Sequence, residues 1–210
     1  CTPERVRHAL TDLGTTGIKL GQMLSTRADL LGPELTSELA KLQADTPPDS
    51  TEMVYATIEA ELGLLPQELF AEFEDAPFAS ASIGQVHRAI LKTGEHVVVK
   101  VMHHGIEGHV RRDLDIMRLL AELMEKHSPM LRQYKPVATG RHFARTLLAE
   151  LDYEHERRHL DEFGANFAGD DTVRFPKVFP ELSTRRVLTM ERIIGIPVSD
   201  REGLAASGED

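Results

Sequence analysis

Residues 86–102, VHRAILKTGEHVVVKVM, constrain the fold more than any other stretch of the chain. Two runs rich in apolar and β-branched residues flank Thr93-Gly94, a turn-forming pair, so VHRAIL and HVVVKVM read as the arms of an antiparallel hairpin. Val97, Val98 and Val99 in succession mark the second arm as a buried strand. Lys100 follows them at once. An ammonium in that place either reaches water at the strand end or is held by an anionic partner.

The rest of the chain surrounds this hairpin with helices. TPERVRHAL offers Thr2 as a cap and Pro3 at the first helical position. Gly14 and Gly17 are expected to break that segment before IKLGQMLSTRADLL, and Pro33 opens PELTSELAKLQ. DTPPDS, at 45–50, is a loop. STEMVYATIEAELG has Ser50 as cap, Met53, Ile58 and Leu62 as its apolar face, and Gly63 as stop. After the hairpin, Ile106, Val110, Leu114, Met117, Leu120 and Met124 recur at helical spacing. A long helix over 140–168, capped by Thr139, carries Phe143, Leu147, Leu151, Phe163 and Phe167. Finally VRFPKVFPELSTRRVLTMERI reads as two strands around a PELST turn. The order predicted is helices, three strands, a helical insert, a long helix and two strands.

Composition narrows function by exclusion. The net charge of −10 argues against a nucleic-acid partner, which needs a basic face. Cys1 is the single cysteine, so no intrachain disulfide forms and a reducing compartment fits. No apolar run approaches the roughly 20 residues of a membrane span, and no secretion leader is visible.

The stretch DYEHERRHLDEFGAN, 152–166, admits three readings. His155-Glu156-x-x-His159 has the form of a zinc-hydrolase helix, with Glu181 a conceivable third ligand, but Arg157 and Arg158 would set two cations beside the metal. His159-x-Asp161-x-x-x-x-Asn166 has the form of a kinase catalytic loop, yet it precedes the strand at 187–193 that would lead to the hinge. The third reading is an amphipathic helix whose Glu156 pairs with Lys100. Residues 79–86, ASASIGQV, support it: Ala79-x-Ala81-x-x-Gly84-x-Val86 has the frame of a kinase glycine-rich loop, with alanine in two glycine positions. Lys100 comes fourteen residues after Val86, where a kinase carries its phosphate-holding lysine. Glu150 and Asp152 lie one to two turns before Glu156 and could lean towards the same side.

These motifs together resemble the UbiB family of protein-kinase-like ATPases. KLGQ at 19–22 is similar to that family's Lys-x-Gly-Gln motif, and MLSTRADLLGPELTSELAKLQADTPP follows it in similar context. ASAS at 79–82 resembles the alanine-rich loop, usually three alanines then serine, with Ser80 a departure. GQVHRA, VVVKV, ELDYEHE (the Glu-x-Asp motif, Glu150 and Asp152) and VLTMERIIG complete the match. The resemblance implies an α+β chain. Residues 1–69 would be a helical extension, and 70–198 a kinase-like N-lobe with a five-stranded antiparallel sheet, a C-helix and a helical insert at about 105–138. Residues 199–210 would follow the hinge.

It further implies that Lys100, Glu156, Lys19, Gln22, Glu150 and Asp152 serve catalysis. Ala79, Ser80, Ala81, Ser82, Ile83, Gly84 and Val86 would line the nucleotide together with Lys100. Met190 would be gatekeeper-like, and Glu191 to Ile193 would offer backbone groups to adenine. ATP or ADP with magnesium is the implied cofactor, a lipid or quinone precursor the implied partner, and no metal site within the chain, zinc included, is expected. The implied location is cytoplasmic or peripheral to the inner face of a membrane. His104 stands where relatives often have proline. No catalytic loop or D-F-G segment follows the hinge, so the chain is expected to lack the C-lobe and to be catalytically incomplete alone. The rival expectation is a non-catalytic kinase-like module that binds a protein or lipid.

Overall fold

The computed structural model describes residues 2–42, 46–198 and 200–207; Cys1, Gln43 and Ala44 with Asp45 of the DTPPDS loop, and Ser199 and 208–210 of the tail lie outside the described residues. Helices α1 (Pro3–Asp12), α2 (Gly14–Ser25), α3 (Ala28–Leu31), α4 (Pro33–Leu39), α5 (Thr51–Leu62) and α6 (Pro66–Leu69) come first. Among the described residues five strands then form one antiparallel sheet: β1 (Phe70–Phe73), β2 (Ala79–Ser80), β3 (Gly84–Leu91), β4 (His96–Met102) and, after a long interval, β5 (Val187–Glu191). The sheet order is β1-β3-β4-β5, with β2 also on β3. The interval holds α7 (Ile106–His127), α8 (Pro129–Arg132), α9 (Pro136–Glu150) and α10 (Tyr153–Asn166), and α11 (Arg201–Ser207) closes the described chain.

The hairpin is as the sequence reads it. β3 and β4 pair from Gly84 with Met102 to Ile90 with His96, and Gly94 takes the positive φ of 97° that the turn requires. Because side chains alternate along a strand, Val97, Val99 and Val101 share one face, packed with Ala89, Leu91 and Val187 against Val54 and Ile58 of α5. Met102 and Leu188 lie on the other face, in a second cluster with Val110, Phe143, Leu147 and Leu151 of α7 and α9. Lys100 belongs to that second face, so the strand period alone points its side chain at the α9–α10 side of the sheet.

Several expectations are corrected. The strands divide four before the helical interval and one after it, because Pro180–Leu182 forms a 3-10 turn and only Val178 bridges to Met190 ahead of β5. The single long helix is two. Asp152 leaves helical geometry and its Oδ1 accepts from Glu154 N at 3.0 Å, which caps α10 and ends α9 at Glu150. α9 begins at Pro136, so Thr139 is not its cap. Gly14 does separate α1 from α2, but Gly17 lies inside α2, where an added Cβ would sit 2.2 Å from Leu10 O: it is needed for close helix packing. Met53, Leu120 and Met124 face outward, and Val54 and Ala121 take the inward positions. Of the early helices, α5 is the one that covers the sheet; α2 packs instead on α7 and α9. Among the described residues no helix is long and apolar enough to cross a membrane.

Ile58 is fully buried between α5 and the sheet. Ile58→Ala should therefore lower unfolding free energy by about 2–5 kcal/mol in urea titration. His87, also fully buried, contacts Gln85 and Glu74 O and stacks on Phe73. Burial pushes its pKa below the usual 6.5, outweighing the Glu74 carbonyl and the Asp75 and Glu74 charges. A folded-state pKa lowered in this way costs stability as pH falls below about 6.5 and the unfolded chain binds protons first. Urea titrations from pH 7.5 to 5 should show that loss, reduced in His87→Gln.

Candidate functional site

The anomalous lysine of β4 finds its anion. Lys100 Nζ lies 2.7 Å from both Oε1 and Oε2 of Glu156, which projects from the first turn of α10. A carboxylate there also meets the positive end of its own helix. The pair is partly exposed, with 25% and 39% of the two side chains open to solvent, so its worth to stability is about 1 kcal/mol or less. Its consequence is positional: the ammonium is held over the sheet with one side open. Tyr153 forms the floor, its ring 5.0 Å from Lys100 Nζ. Burial, then the Glu156 charge, pushes the Tyr153 phenol well above its ordinary range, so it stays neutral beneath the lysine.

The 79–86 segment lies on the same site. β2 and the start of β3 are its two arms, with Ala79 opposite Val86 and Val86 opposite Lys100 in register. The non-glycine residues of the loop keep negative φ, as alanine favours. Gly84 is required for another reason: a Cβ there would come within 2.5 Å of Tyr153 Oη and of Val101 O. Ser80 Oγ and Ser82 Oγ are buried without a hydrogen-bond partner.

The break between α9 and α10 organises the acidic residues. On one straight helix Glu150 and Glu156 would point about 120° apart. Instead Glu150, at the last turn of α9, pairs with Lys19 of α2 at 2.6 Å, while Glu156 serves Lys100. Asp152 caps α10 and lies 4.0 Å from Arg185. Gln22 donates to Leu42 O at 3.3 Å, within the extension itself.

The comparisons with known proteins agree with this geometry. A family model described as the ABC1 atypical kinase-like domain matches residues 41–210. The chain belongs to the ABC1 atypical kinase-like family. The probable protein kinase UbiB of Pseudomonas paraeruginosa is 43% identical over 200 residues, covering 95% of this chain and 38% of that protein. The protein of the same description from Aeromonas hydrophila is 42% identical over 205 residues, covering 97% and 38%. A solved structure described as the complex of Rv3197 with erythromycin from Mycobacterium tuberculosis superposes with a TM-score of 0.63 at 29% identity, covering 89% of this chain and 46% of that one. The chain thus spans about 38% of the length of these curated relatives.

The edge strand β5 and the residues that follow it are partly committed. Met190 pairs with Val98 and bridges Val178. Glu191 N donates to Lys177 O at 2.8 Å and Arg192 N to His96 O at 3.0 Å, whereas the Ile193 N–H has no partner among the described residues. The Glu191 side chain binds Arg174. Within 152–166 the remaining candidate side chains have local partners. Asp161 pairs with Arg157 at 3.1 Å in mid-helix, His155 meets Arg158 and Asp152 on an exposed face, and Glu181 is exposed. Among the described residues no three metal-ligating side chains converge. The sequence reading misses Tyr153, Thr15 and His103, all of which touch the loop or Lys100; Tyr153 carries a signal in following a capping Asp three residues before Glu156. Ser80→Ala, which removes an unpartnered buried hydroxyl, should leave the melting temperature unchanged or raise it in a thermal melt.

Proposed function

We propose that this chain is the nucleotide-gripping part of a UbiB-type atypical kinase or ATPase that supports isoprenoid quinone or lipid metabolism. The observation that carries the reading is the bidentate Lys100–Glu156 pair beneath the alanine-rich loop. A kinase N-lobe uses such a lysine to hold the α- and β-phosphates, with the helix carboxylate fixing its reach. The Lys19–Glu150 bridge is consistent with the UbiB-type assignment, because it ties the Lys-x-Gly-Gln helix to the C-terminal end of α9 beside the site. ATP or ADP with magnesium is the cofactor this implies; Lys100 would contact phosphate oxygens and the free Ile193 N–H is the adenine donor the hinge still offers. Magnesium supplies charge neutralisation at the phosphates when bound. A lipid or quinone precursor is the substrate class, acted on in the cytoplasm or at the inner face of a membrane by the longer protein.

The alternative, a non-catalytic module that binds a protein or lipid, is favoured by one observation. The outward face of α7 leaves Ile116, Leu119, Leu120 and Leu123 each more than half exposed. A nucleotide-dependent thermal shift on the full-length protein separates the two. Magnesium-ATP should raise the melting temperature of the parent, and Lys100→Ala should weaken binding by roughly 10–100-fold, the loss expected for charged hydrogen bonds. Equal ATP binding by Lys100→Ala and parent overturns the role given to this lysine, and a parent that ignores nucleotide supports the module.

A further inference from the structure

Three consecutive carbonyls of the alanine-rich loop are tied back from outside it. Ala81 O accepts from His103 Nε2 at 2.8 Å, Ser82 O from Thr15 Oγ1 at 2.9 Å, and Ile83 O from His103 N at 2.9 Å. In a planar trans peptide the C=O of one residue and the N–H of the next point in opposite directions. Holding the oxygens of Ala81 and Ser82 towards His103 and α2 therefore turns the N–H groups of Ser82 and Ile83 the other way. Neither amide has a partner among the described residues. Both N–H groups are thus left without a protein acceptor, the condition under which backbone amides take up an anion.

We propose that Thr15 and His103 are positioning residues for the phosphate-binding loop, setting the direction of the Ser82 and Ile83 amides through the carbonyls that precede them. The proposal deepens the nucleotide reading and rests on it. Neither residue touches the phosphate. His103 is buried at the end of β4, and its other nitrogen, Nδ1, lies 3.2 Å from Asp49 Oδ1 without the alignment of a hydrogen bond. Asp49 is itself fixed, its Oδ2 accepting from His104 N at 2.7 Å and its own N–H donating to Gln85 Oε1 at 2.7 Å. The ring is thus braced on one side while Nε2 does the holding. Thr15 is half-buried on α2, one turn before Lys19, and the next residue, Thr16, donates to Asp113 of α7 at 2.6 Å. One helix of the extension consequently anchors the loop, α7 and α9 together, through Thr15, Thr16 and Lys19.

The test separates the latch from general folding by the reach of each substituted side chain. Glutamine places an amide N–H where histidine has Nε2; asparagine reaches only as far as Nδ1. Serine keeps the Thr15 hydroxyl; valine keeps its shape alone. Inorganic tripolyphosphate is titrated into this chain while the backbone amide shifts of Ser82 and Ile83 are followed. The parent should show saturable shifts at both amides. Thr15→Ser and His103→Gln should retain them, and Thr15→Val and His103→Asn should weaken the response roughly tenfold, as for loss of one positioning hydrogen bond, with melting temperatures near the parent's. If the parent shows no shift at these amides, or if Thr15→Val and His103→Asn respond with the parent's affinity, the proposal is overturned. If tripolyphosphate binds as described but the parent takes up no ATP, the latch stands and the nucleotide reading fails.

Discussion

The salt bridge between Lys100 and Glu156 is the contact on which the arrangement depends. It joins the central strand of the sheet to the first turn of α10 across 56 residues of sequence, with both carboxylate oxygens engaged. A partly exposed pair adds little to stability, so its importance is geometric. A free lysine samples many rotamers; this one is confined between a carboxylate and the Tyr153 ring, with Val86 of the loop beside it on the neighbouring strand. The ammonium, the loop and the aromatic floor thus share one site because one strand, one helix start and one register place them there.

That site extends beyond the lobe that carries it. Helix α2 lies on α7 and α9 rather than on the sheet, and its polar contacts run to the loop, to α7 and to the end of α9. Tight packing brings the helix in: Gly17 allows the backbone of α1 to approach to a distance that no side chain permits, and Gly21 leaves room for the side chains of Leu42, Leu10 and Leu39. The glycines of the Lys-x-Gly-Gln region therefore serve closeness, while Thr15, Thr16 and Lys19 supply direction.

Much of this is legible in the amino-acid order. The hairpin, the loop frame, Lys100 and Glu156 follow from strand alternation, a turn dipeptide and the search for an anion, and the family follows from ordered motifs. The errors have local causes. A single helix over 140–168 is the natural reading through Leu151-Asp152, because the apolar residues keep helical spacing on both sides. An aspartate cap within such a run is a weak signal in sequence and a clear one once Glu154 N is seen to donate to it. The strand expected around 173–179 does not form, because Pro176 and Pro180 limit ladder bonds and leave a single bridge at Val178. The apolar stripe of α7 is displaced by one step, because Leu120 and Met124 fit the helical period beside the buried Ala121.

Strand and helix near the site, and the charged groups that must find partners, are already set by side-chain period and by the cost of burying charge. Kinship is set in the same way, by motifs in a constant order. Which acid meets which base, Glu150 with Lys19 and Glu156 with Lys100, and which donors hold the loop, are settled in three dimensions. Those pairings join residues from 20 to 131 positions apart in the chain. No local preference encodes such a contact; it exists when the helix break, the strand register and the close approach of α2 are all in place.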